Sequence, residues 1–194
     1  MSETPEPDAF AQLRAFVAAG GTRAETTVTE IPSPSRMAPF SIALAADVSG
    51  AVHGMDSDLG TGRFIALYDP EEPEGWGGAF RIVTFAQAPL EPEIGVDEFV
   101  ADVTWSWLVD ALAAHGATHD HASGTATKII SRGYGDLSAQ GDGAQLELRA
   151  SWTPRGEDLT AHVEAWEEIV AMLAGLPPAS DGVTLLAPRR LARD

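Results

Sequence analysis

The sequence predicts an α+β domain: a mostly antiparallel sheet of about six strands with helices packed on one face, in the order α-β-β-β-β-α-β-β-α. Three observations predict it. Residues 144–153 alternate cleanly, with Ala144, Leu146, Leu148, Ala150 and Trp152 on one side and Gln145, Glu147, Arg149, Ser151 and Thr153 on the other, the two-residue period of a half-buried strand. Helical stripes appear at residues 104–116, where Trp105, Leu108 and Leu112 recur, and at residues 160–174, through Val163, Trp166, Val170 and Leu173. Strand-like runs precede the first stripe in a group and fall as a pair between the two, which does not match the strand–helix alternation of a parallel sheet.

In chain order, residues 1–7 form a Pro- and Glu-rich arm, and Asp8 is placed to cap a helix carrying Phe10, Leu13 and Val17. Gly20 and Gly21 end it. The β-branched run ETTVTEI reads as a first strand, and Pro32, Pro34 and Pro39 force an extended connection. Residues 40–49 follow as a second strand with Ile42, Leu44, Ala46 and Val48 on one face and Ala43, Ala45 and Asp47 on the other. Four glycines make residues 50–62 a loop, residues 63–68 a strand apolar on both faces, and DPEEPEGWGG an acidic turn bearing Trp76. Residues 79–88 make a fourth strand, and PLEPEIG links it to the helix at 104–116, which Gly116 closes. Residues 123–133 and 144–153 then read as a hairpin. In the last helix Glu164, Glu167 and Glu168 are expected to face water, and Gly175, Pro177 and Pro178 stop it. One domain over residues 8–178 is expected, followed by a loose tail over 179–194 holding Arg189, Arg190 and Arg193.

Charge and composition narrow the partners. The chain carries 29 acidic and 12 basic residues, a formal net charge of -17, with Lys128 as the lone lysine. That field repels polyanions, so neither direct nucleic-acid binding nor an anionic membrane surface is expected, and a basic protein partner is favoured. With 0 cysteines, disulfides, thiolate nucleophiles and Cys-ligated metals are excluded. The acidic N-terminus lacks the basic start and apolar run of a signal peptide, which points to the cytoplasm.

The motifs that carry chemistry are missing. Lys128 lies in TATKII rather than after a glycine-rich loop, and no G-x-S-x-G or H-E-x-x-H occurs. Asp56-Ser57-Asp58 begins like a calcium loop, but Leu67 stands where the bidentate glutamate belongs. His115, His119 and His121 cluster within HGATHDH at a spacing that matches no known metal cage, so no metal and no cofactor is expected.

The strings APFSIAL (38–44), WGGAFRIVTF (76–85), LEPEI (90–94), WSWLVDAL (105–112), ASGTATKIIS (122–131), LRASWTP (148–154) and AGLPP (174–178) together make the chain resemble a family of uncharacterised proteins of high-GC Gram-positive bacteria, known as a domain of unknown function. The resemblance spans about residues 8–186 and implies no activity and no site residues.

Two function classes follow from the residues themselves. The first is a non-catalytic protein-interaction or regulatory module, anchored by Trp76 because it lies off every core period. The second is an enzyme with a dispersed site, or a small-ligand-binding domain, for which Arg81, Glu91, Arg149 and the histidines are the polar candidates. A cleft with convergent buried polar groups favours the enzyme; an exposed tryptophan patch without one favours the module. The oligomeric state is not legible.

Overall fold

Alternating strands and glycine-marked turns assemble into one open antiparallel sheet. The computed structural model describes residues 5–21, 23–49, 58–140 and 143–178. It holds α1 (Asp8–Ala18), β1 (Thr26–Ile31), β2 (Phe40–Ser49), β3 (Asp58–Tyr68), β4 (Phe80–Leu90), the short α2 (Pro92–Gly95), α3 (Val100–Ala114), β5 (His119–Ser131), a 3-10 turn (Gly135–Gln140), β6 (Gly143–Pro154) and α4 (Thr160–Leu173). The six strands lie in the order β1-β2-β3-β4-β6-β5, every neighbouring pair antiparallel. After β4 the chain passes through α2 and α3, returns along the far edge as β5, and turns inward to β6.

Period-two patterning decides which face the helices cover. In β4 the strict alternation buries Phe80, Ile82, Thr84, Ala86 and Ala88 and leaves Arg81, Val83, Phe85 and Gln87 half-covered. The buried set joins Ile42, Leu44, Phe64, Leu146, Leu148 and Trp152 in a core closed by Phe10 and Leu13 of α1, Leu108 and Leu112 of α3, and Val163, Trp166 and Val170 of α4. Burying a large apolar side chain contributes about 1.5–3 kcal/mol, so this layer is what stabilises the fold.

Several local expectations change on folding. Residues 58–62, expected as loop, extend β3, while residues 50–57 of that loop lie outside the described residues. Gly62 is in the strand because α4 crosses it: a Cβ there would stand 2.5 Å from Val170 Cγ2 and 2.9 Å from Trp166 Cζ2. The α3 stripe is rotated, burying Val100, Thr104, Leu108, Ala111 and Leu112 and leaving Trp105 half-covered over Gly124. His119 and His121 lie in β5 rather than in a loop.

Glu167 and Glu168 do not face water. They are 0% and 6% exposed, because α4 is hemmed by the α1–β1 connection on one side and by α3 on the other. Glu167 accepts the Arg23 backbone N–H at 3.1 Å and the Thr26 hydroxyl. Glu168 pairs with His115 at the C-terminal end of α3, whose Nδ1 also lies 3.7 Å from Glu164. Each carboxylate thus meets a polar group delivered by a remote segment, the condition under which acidic groups tolerate burial. Among the described residues no helix is long and apolar enough to cross a membrane.

Candidate ligand-binding face

Among the described residues the second face of the sheet carries no helix, and its side chains fall into cross-strand rows fixed by the register. One row runs Ala45, Arg63, Phe85, Arg149, Thr125 across β2, β3, β4, β6 and β5; the next runs Ala43, Ile65, Val83, Ser151, Ser123. Residues in such a row are nearest neighbours, close enough for their side chains to act together. Between the rows lies a cleft of about 540 Å³ lined by Arg63, Ile65, Val83, Phe85, Arg149 and Ser151, with Ser123 and Thr125 on its β5 side. Its floor is Ile65, Val83 and Phe85.

Two guanidinium groups flank that floor. Arg149 lies over the Phe85 ring, 5.7 Å from its centroid, a cation–π arrangement. Its Nη2 also donates to Glu147 at 3.1 Å while the side chain stays 67% exposed. Across Phe85, Arg63 is exposed, its Nη1 donating to the Gly62 carbonyl at 2.8 Å. A third guanidinium belongs to the row beyond: Arg81 donates to Ser151 Oγ at 2.6 Å, Thr153 Oγ1 at 3.0 Å and the His121 carbonyl at 3.1 Å. These acceptors are neutral, and burial without a carboxylate beside it holds the Arg81 pKa below the usual guanidinium value. Arginine stays charged through such a change, so a half-covered positive charge is held and directed along this face.

The residues nominated from sequence separate here. Arg149 lines the cleft, and Arg81 adjoins it through Ser151. Trp76 is half-buried at the end of the same face, its carbonyl accepting the Thr153 hydroxyl that also bonds Arg81. The turn around it needs positive φ at Gly75 (92°) and Gly77 (76°), and Gly77 makes room for the His121 ring, 2.5 Å from where a Cβ would be. Glu91 stands apart: it is exposed and precedes α2, where its carbonyl accepts the N–H groups of Ile94 and Gly95 at 3.0 Å. Arg63, Phe85, Ser123, Thr125 and Ser151 were not nominated. They meet only through strand order, and the one cue in the sequence is the pairing of apolar and arginine residues on the outward positions of β3 and β4.

The histidines disperse. His115 binds Glu168, His119 Nδ1 lies 2.9 Å from the Ala117 carbonyl, and His121 sits against Gly77. Among the described residues no group of three or more His, Cys, Asp or Glu side chains is arranged to hold a metal ion. A second cleft of about 500 Å³ at the end of α3 holds Asp120 and Arg155, but these neutralise each other at 2.7 Å in solvent.

No curated protein and no solved structure matches the chain. A family model described as "Protein of unknown function (DUF3000)" matches residues 6–184, and the chain, sheet, cleft and helices together, belongs to that family.

Proposed function

We propose that the protein is a cytoplasmic, non-catalytic binding module whose ligand is an organic anion with an apolar body, seated on the open face of the sheet. The observation that carries this reading is the row Arg63–Phe85–Arg149: two guanidiniums, the second of them paired with Glu147 at 3.1 Å, astride an apolar floor in a chain whose net charge is -17. An anion approaching the molecule gains only where positive charge is concentrated, and an apolar body gains only where half-covered side chains await it. The cleft satisfies both. Among the described residues its lining is made of apolar, hydroxyl and guanidinium side chains, a composition that supports binding.

Titration of isotope-labelled protein with decanoate and with anilinonaphthalene sulfonate tests the reading. Amide shifts should gather on Arg63, Val83, Phe85 and Arg149, and Arg149→Ala should weaken binding about tenfold, the loss expected for one charge-assisted contact. Shifts that are absent, or scattered over the helices, would sink it. The exposed Glu71, Glu72 and Glu74 around Trp76 support a second reading, a basic protein partner at that turn. A lysine-rich peptide that shifts the turn and leaves the cleft unmoved, with the response lost in Trp76→Ala, would favour it.

A further inference from the structure

The two edges of the sheet are treated differently by the sequence. β1 is a short edge of 6 residues, and Pro32 follows it at once. β5 is 13 residues long, has no proline, and pairs among the described strands with β6 alone. After the irregularity between Asp120 and Ser123 its register runs unbroken to Ser131. A long, regular, unprotected edge offers a row of unsatisfied backbone donors and acceptors, which proteins ordinarily blunt with charge, proline or bulges.

Lys128 does not serve as such a guard, since its ammonium is drawn to the Asp97 carbonyl at 2.8 Å. The same contact brings the segment between α2 and α3 beside the strand, and that segment presents two exposed apolar side chains, Val96 (70% exposed) and Phe99 (61%), on either side of the exposed Asp97 and Glu98. Ile129 and Ile130 of β5 are exposed as well. An apolar group of this kind next to a free edge marks an association surface.

From these features we infer that β5 pairs antiparallel with β5 of a second copy of the chain, about a two-fold axis near Thr127, joining two sheets into one. Charge permits this occupant. Residues 122–134 contain no Asp or Glu, although the chain has 29, so two acidic copies can bring these strands together without carboxylates opposing one another along them. A two-fold contact is also self-complementary, so a strand that pairs with its own copy needs no second recognition sequence. With the axis perpendicular to the sheet, Thr127 faces Thr127 of the other copy, the Val96 and Phe99 side chains of each copy approach the other's β5, and the two helix-free faces lie on the same side. This inference does not depend on what the cleft binds.

Light scattering on the full-length protein should give twice the 20.4 kDa chain mass. Thr127 is exposed, so Thr127→Glu and Thr127→Lys each place like charges opposite one another across the axis. Each variant alone should weaken association at least about tenfold, and an equimolar mixture should recover it. Recovery in the mixture also establishes that both variants fold. Hydrogen exchange on the unmodified protein gives an independent reading: β5 amides should slow with rising protein concentration while β1 amides stay constant. A monomer at all concentrations overturns the inference, as does a dimer indifferent to both variants or exchange in β5 that ignores concentration.

Discussion

His162 has a single ring environment that decides its protonation. It is 1% exposed, and its Nδ1 accepts the Trp152 indole N–H at 3.0 Å, which requires that nitrogen to be unprotonated. Burial first, and the nearby His119 second, lower its pKa to about 4, with Asp158 opposing them weakly. The folded state therefore binds the proton less readily than the unfolded chain, and stability falls as pH drops below the unfolded value of about 6.5 toward the folded one. The loss this one group causes reaches about 3 kcal/mol by pH 4. His162→Asn keeps an acceptor near the indole but does not titrate. Urea midpoints measured from pH 7.5 to pH 4.5 should fall more steeply for the native protein than for the variant, and parallel curves would show that His162 is already protonated in the fold. Only part of this was legible: Trp152 falls on the apolar face of its strand by simple alternation, whereas His162 becomes its partner only once α4 crosses β6.

At the scale of elements, the crossing of α4 over β3 rests on two glycines. Gly60 and Gly62 are inward-facing strand positions where a side chain would ordinarily stand, and instead Trp166 and Val170 of α4, with Ala174 just past its end, occupy that space. In Gly62→Ala the new methyl would lie 2.5 Å from a Val170 methyl, whose short β-branched side chain has nowhere to turn. Overpacking of that kind costs about 1–3 kcal/mol. Val170→Ala removes the obstructing methyl, so the double variant should be more stable than the sum of the two single losses predicts, as a double-mutant cycle in denaturant would show. Strict additivity would mean that the helix simply shifts away. Sequence patterning located both elements, yet it assigned these glycines to a loop, because a glycine that admits a helix and a glycine that permits a turn look alike until the packing partner is known. The acidic residues of α4 failed for a related reason: helical period assigns Glu167 to a face, and only the α1–β1 connection, delivering the Arg23 N–H and the Thr26 hydroxyl, makes that face an interior.

For the whole molecule the dominant long-range term is the excess of negative charge, and it acts on folding and on the open face with opposite sign. With 29 acidic and 12 basic residues, the folded chain holds like charges closer together than the unfolded chain does, so self-repulsion opposes the compact state. Screening relieves it: the Debye length shrinks from ~30 Å at 0.01 M salt to ~10 Å at 0.1 M, less than the span of such a domain. Raising NaCl over that range should therefore raise the melting temperature by about 2–4 °C, equivalent to about 1 kcal/mol for a chain of this size. Most of the rise should be complete by about 0.2 M and be the same for KCl, because screening depends on ionic strength rather than ion identity. A linear, salt-specific rise continuing to molar concentration would instead report strengthened apolar burial. Anion binding beside Arg63 and Arg149 is attractive, and the same screening should weaken it. A melting temperature that climbs while the affinity for decanoate falls, measured on one set of samples, separates the two effects; affinity that rises with salt would mean the cleft recognises only the apolar body, leaving the arginines without the role proposed for them.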